Sequence, residues 1–194
     1  MWGCSSGESG KFIAEGRERI GSMAMWSRAV IVALLSCALL FPSLLMAAEE
    51  DQPKDFEYFQ IWVSQDGETH IAECKMKGFN YTAYSSLPQY LRSDFGGEPV
   101  KFVLTELPVG LAQPLHNTPI VQFVATLSGS WYIETTDGTR RNLKKGQLLF
   151  QDNTANSPAD KSPQHYSGTH GDKPCHQLII QLSRPPQVDN PCPF

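Results

Sequence analysis

From Phe56 onward, Gly, Pro, Asn and Asp interrupt the chain so often that no apolar pattern runs long enough for an ordinary helix. Between the interruptions lie short runs rich in β-branched and aromatic residues, at 56–64, 69–76, 99–107, 119–127, 130–136, 147–151 and 175–182. Many short strands parted by turn residues are the pattern of a sandwich or barrel. Gln65-Asp66-Gly67 and Asp137-Gly138 supply hairpin turns, in which Gly takes a positive φ. Only 86–93 has any helical character. The expectation is an all-β domain over 56–184, followed by a Pro-rich tail, 185–194, that joins a sheet only with difficulty.

The run 119–127 says most about surroundings. Alternation puts Ile120, Gln122, Val124 and Thr126 on one face and Val121, Phe123, Ala125 and Leu127 on the other. Both faces are substantially apolar, so both need cover, the second from the N-terminal strands or from a second subunit. A homodimer is expected on that ground.

A chain of 194 residues with 41% hydrophobic and 19% charged residues is the right size for one domain with a real core. Its net charge of -4 leaves no basic footprint, which argues against nucleic acid as a partner. At the N-terminus, Arg28 precedes the apolar run AVIVALLSCALLFPSLL, which ends at Met46-Ala47-Ala48 before an acidic stretch. Residues 23–48 therefore read as a secretory signal, with removal near Ala48, export to the periplasm or exterior, and an acidic linker at 49–55. The alternative is a retained membrane anchor, although the run is short for a span and Pro42 interrupts it. Residues 1–22 are polar and Gly/Ser-rich, either a disordered head or sequence ahead of a true start at Met23 or Met25.

Beyond the signal stand Cys74, Cys175 and Cys192. An exported chain could close one internal disulfide with these and leave one thiol over, and a bridge from Cys192 would staple the tail down; three idle thiols are the alternative. The absence of a Cys-x-x-Cys pair removes structural zinc.

Two spaced motifs follow. Gly110, His116, Thr118, Gln122 and Gly129 form the first, and Gly138, Lys144, Gly146, Leu149 and Asn153 the second. Their spacing resembles the two signature motifs of the cupin superfamily over about 100–182. The resemblance implies a small jelly-roll barrel able to pair with a second copy. It also implies a site inside the barrel, where three His and one Glu of metal-binding cupins converge on a divalent ion. At those places this chain has His116, Thr118, Gln122 and Leu149, which are one imidazole, a hydroxyl, an amide and a hydrocarbon. His165, after Asp152-Asn153-Thr154, is the candidate for a second inward imidazole, against the alternative of an exposed loop. His176 opens the last strand, and alternation with Leu178, Ile180 and Leu182 assigns it to the apolar face, as a satisfied core residue or a pocket residue. His70 is expected to face solvent and His170 to be plain surface. A buried Gln122 must find hydrogen-bond partners, since an unpaired amide costs about 1–3 kcal/mol.

No Ser-His-Asp set, phosphate-cradling loop or paired catalytic carboxylates can be recognised, so whether the chain is an enzyme stays open. Three functions remain. The first is a small molecule held around His116, Gln122, His165 and His176 between mainly apolar walls. The second is oxygenase or isomerase chemistry at a divalent transition metal on a non-standard set, His116 and Gln122 with His165 or His176. The third is an envelope protein-interaction module.

Overall fold

The computed structural model describes residues 56–194, an all-β unit. The expectations for the head, signal and linker at 1–55 lie outside the described residues. The strands are β1 (Phe56–Val63), β2 (Thr69–Met76), β3 (Asn80–Ala83), β4 (Pro88–Leu91), β5 (Pro99–Leu107), β6 (Ala112–His116), β7 (Gln122–Ser128), β8 (Ser130–Thr135), β9 (Arg140–Lys144), β10 (Leu148–Gln151), β11 (His165–Thr169) and β12 (Cys175–Leu182).

Their pairing is that of a jelly roll. One sheet runs β2-β1-β10-β7-β12-β5 and the other β6-β11-β8-β9. If the eight strands from β5 to β12 are lettered B to I, the sheets contain B-I-D-G and C-H-E-F, the two interleaved four-strand sets of that architecture. β1 and β2 widen the first sheet, with β1 parallel to β10 and antiparallel to β2. The β1–β2 turn forms as its residues demand. Ser64 Oγ donates to Asp66 at 2.6 Å, and Gly67 has φ +88°, where an added Cβ would lie 2.4 Å from the Lys161 carbonyl oxygen.

The helical reading of 86–93 is corrected. Pro88 opens β4, which pairs with β3 in a separate two-stranded ribbon. The residue before a proline is pushed away from the α region, and that outweighed the local helical composition.

The core has two parts because the six-stranded sheet is apolar on both sides. Between the sheets lie Ile61, Val124, Trp131, Ile133, Leu143, Leu149 and Cys175. On the outer side Tyr58, Met76, Val121, Phe123, Phe150 and Leu182 pack under Phe194, with Phe95 and Phe79 alongside. The second apolar face of β7 is thus covered over Val121 and Phe123 by the tail and the segment around Phe95, whereas β1 and β2 extend the sheet sideways. The tail is fixed by a Cys74–Cys192 disulfide, with Cα atoms 5.3 Å apart, while buried Cys175 stays a thiol. Buried Gln60 reinforces it, its Nε2 donating to Asn190 O at 3.2 Å and its Oε1 accepting from Cys192 N.

Candidate functional site

The inner face of β7 carries Gln122, Val124 and Thr126, and the inner face of β12 carries Gln177 and Ile179. With the ends of β6, β10 and β11, all of these but Thr126 line a cavity of about 270 Å³ between the sheets. Its polar walls include His116, His165, Gln122, Gln151, Gln177 and Ser167, and no Asp, Glu, Lys or Arg lines it. By exposed area the walls are more apolar than polar, in line with the expectation: Leu107, Val124, Trp131 and Ile179 supply apolar surface, and amides and imidazoles share the lining.

The amides form a connected ladder. Gln181 Nε2 donates to Gln122 Oε1 at 3.2 Å, and Gln122 Nε2 donates to Gln151 Oε1 at 2.7 Å. Gln151 Nε2 lies 3.4 Å from His165 Nε2, and the side-chain amide of Asn153 lies 2.8 Å from His165 Nδ1. Since Gln151 presents N–H groups to Nε2, that nitrogen must accept, which puts the imidazole proton on Nδ1. Nδ1–H then needs an acceptor, and half a turn of the Asn153 amide brings its otherwise unpartnered Oδ1 there. The ladder runs in one direction from Gln181 to Asn153, with His165 neutral in the middle. Burial, helped by the nearby His116, pushes the His165 pKa down to about 3.

Both ring nitrogens of His165 are engaged in this way. His116, paired with it across β6 and β11 with ring centroids 4.3 Å apart, binds Pro114 O through Nδ1 at 2.8 Å and keeps Nε2 for the cavity. Sequence reasoning brought His116, Gln122 and His165 to one place, and the structure joins them there, His165 only 1% exposed. His176 is corrected: it is exposed on the outside of the sheet, with Nε2 2.7 Å from Glu106 and Nδ1 2.6 Å from Ser128 Oγ. The alternation along β12 was right but the inward set was the other one, Gln177 and Ile179, because the outer side of this sheet is as apolar as the inner. His70 does not simply face solvent, since it stacks on Trp62 and bridges Ser64 and Asp137 at 3.0 Å each.

A divalent metal of the standard cupin kind does not fit these side chains. Leu149 is fully buried in the apolar core, Gln122 has both amide ends bonded, and His165 has no lone pair to spare. Among the described residues no three of His, Cys, Asp and Glu gather where they could share an ion. Gln151 and Gln177 were missed in the sequence. The available signal was one Gln on each of β7 and β10 and two on β12, inside otherwise apolar strands that have no reason to carry an amide.

Next to the cavity wall, Asp152 points the other way and is 1% exposed. Its Oδ1 accepts from Gln187 N at 3.1 Å and its Oδ2 has no partner. Burial lifts its pKa to about 6, against smaller opposing effects of that hydrogen bond and of Arg184.

The two glycine-spaced motifs flank this cavity, the first spanning β6 and β7 and the second β9 and β10, within the interleaved strand order already described. The domain has the cupin fold. Solved structures similar to this domain include a cupin-2 domain containing protein from Shewanella frigidimarina, at 13% identity over 47% of this chain and 84% of that one, with a TM-score of 0.31. A cupin protein from Bacteroides fragilis matches at 19% over 55% and 86%, TM-score 0.32. The cupin domain of Cnp3 from Schizosaccharomyces pombe matches at 15% over 66% and 88%, TM-score 0.29. No family model matches the chain, and no curated protein does.

Proposed function

We propose that this cupin domain is a binding module that takes a small, uncharged, polar molecule into the cavity between its sheets. The observation that carries the reading is Gln177. Its side chain is 4% exposed and lines the cavity, and its Nε2 meets no oxygen or nitrogen acceptor, only the weakly accepting Cys175 sulfur being turned to it. A donor so placed costs about 1–3 kcal/mol unless something accepts from it. An acceptor on a ligand, with His116 Nε2 as a second anchor, supplies what the protein lacks. The uncharged lining disfavours an ion, and the apolar patch of Val124, Leu107 and Ile179 suits a ligand with one hydrocarbon side. At about 270 Å³ the space is just under the usual range for small-molecule sites, so the ligand is small.

The test is a thermal-shift screen of small neutral amides, lactams, polyols and sugars, repeated on Gln177→Leu. A hit that stabilises the parent chain and not the variant supports the reading. Hits that shift both alike refute it. Elemental analysis of the same preparation, with His116→Ala beside it, separates the metal-enzyme reading, whose support is the close His116–His165 pair. One equivalent of a transition metal lost in that variant would replace a binding module by metal chemistry.

Export is supported by the disulfide, because such bonds persist in oxidising compartments and are rare in the cytosol. Homodimer formation is supported by β5, an edge strand whose outward Val100 and Leu104 are 55% and 75% exposed. Were those side chains still open to solvent in the oligomer, the envelope protein-interaction reading would gain instead. Sedimentation of the chain, against Leu104→Glu, decides between them.

A further inference from the structure

On the outer side of the six-stranded sheet, away from the barrel cavity, the segment carrying Phe79, Arg92 and Phe95 stands over the strands and leaves a groove of about 480 Å³. Phe56, Met76, Phe102, Phe123, Leu148 and Ile180 wall it, and no carboxylate does. Arg92 is the one cation in the lining. Its guanidinium lies 5.8 Å from the ring centre of Phe95 and 5.3 Å from that of Phe194, and Nη1 donates to the Lys77 carbonyl. Its Nε is buried and has no partner, and it forms no ion pair with a carboxylate among the described residues. Ring faces hold the charge in place without neutralising it.

A guanidinium short of an acceptor at one end of an apolar groove calls for a ligand with an anionic head and a hydrocarbon tail. We infer that this groove is a second binding site, for a free long-chain carboxylate, with the carboxylate on Arg92 and the chain laid along Phe102, Phe123 and Ile180. The planar fork of Arg matches two carboxylate oxygens, which a hydroxyl head cannot replace. The site is independent of the barrel cavity and of any ligand there.

The experiment is a fluorescence titration of the full chain with cis-parinarate, a polyene carboxylate that brightens in apolar surroundings, followed by displacement with saturated chains. Saturable binding is expected, with dodecanoate displacing the probe at least about tenfold better than dodecanol, the margin of a hydrogen bond to a charged group. Affinity should fall about fourfold for each methylene removed between dodecanoate and octanoate. Arg92→Gln should bring dodecanoate down to the affinity of dodecanol. Phe102→Glu, at an exposed rim position that leaves the core intact, should weaken dodecanoate about tenfold or more through charge repulsion. Both variants are checked for an unchanged unfolding midpoint, and Ile180→Trp, which fills the groove, should abolish binding. Failure to saturate, equal displacement by the acid and the alcohol, or unchanged binding in Phe102→Glu or Ile180→Trp would each overturn the assignment.

Discussion

Replacing Asp152 by Asn should change how stability depends on pH more than it changes stability at any one pH. The carboxyl is buried, one oxygen has no partner, and its pKa stands at about 6 in the fold against 3.8 unperturbed. A carboxyl whose folded pKa is raised keeps its proton longer folded than unfolded. Between about pH 4 and 6 the native state therefore binds more protons, and stability falls as pH rises through that window. At 1.36 kcal/mol per pH unit of displacement, the loss comes to about 3 kcal/mol and is complete above pH 6. Asn carries no titration, so the difference in unfolding free energy, variant minus parent, should be level below pH 4. It should climb by about 3 kcal/mol to pH 6 and then level off again. The new amide leaves a constant offset, which the slope ignores. Urea unfolding of both proteins at half-unit steps from pH 3.5 to 8 measures it. A flat difference, or one that falls with pH, would refute the placement of a buried and poorly partnered carboxylate. His165 supplies the internal control, because its folded pKa of about 3 lies below the unperturbed 6.5 and has the opposite effect. The unfolded state binds its proton first, so that contribution is whole above about pH 6.5 and drains as pH falls toward 3. Over pH 4 to 6 the two groups nearly cancel in the parent, and Asp152→Asn should uncover the His165 slope, about 1.4 kcal/mol per pH unit.

Three other outcomes follow from named contacts. Cys192→Ser opens a bridge between residues 118 apart, and the chain-entropy relation puts the loss at up to about 5 kcal/mol, seen as a lower urea midpoint without reductant. Gln177→Leu removes a buried donor that meets only the Cys175 sulfur, so the unliganded protein should gain stability, by at most about 1–3 kcal/mol and by less to the extent that the sulfur or a mobile water accepts from it. His176→Gln should stay within about 0.5 kcal/mol and leave ligand shifts unchanged, since its contacts with Glu106 and Ser128 are on the open outer surface.

The sequence was most readable where one local rule decided the outcome. The strands at β1, β2, β5, β8 and β12 come within a residue of the β-rich runs, because alternation and turn chemistry there agree with the fold. β3, β6, β9 and β11 did not stand out, being four or five residues long and rich in Asn, Gln, Arg and Gly, with their order imposed by neighbours. At the site, motif spacing found His116 and Gln122, and His165 followed from its place after Asp152-Asn153-Thr154. His176 was assigned to the wrong side of β12. Strand periodicity says which residues share a face but not which face is inside, and when both sides of a sheet are covered the apolar set no longer marks the interior.

The single bridge among the three described cysteines also bears on how the chain reaches its native state. Cys74 enters β2 early and must wait for the tail before its partner is made, while Cys175, which precedes Cys192 along the chain, is an available wrong partner until the sheets close over it. Once folded, Cys175 is 0% exposed and cannot take part in exchange. Oxidative refolding from denaturant should therefore divide between a productive route, in which the sheets assemble before oxidation, and a trapped one that holds a Cys74–Cys175 link. A chain with Cys175→Ala cannot form the Cys74–Cys175 link, and its refolding yield should become less sensitive to how early oxidant is added.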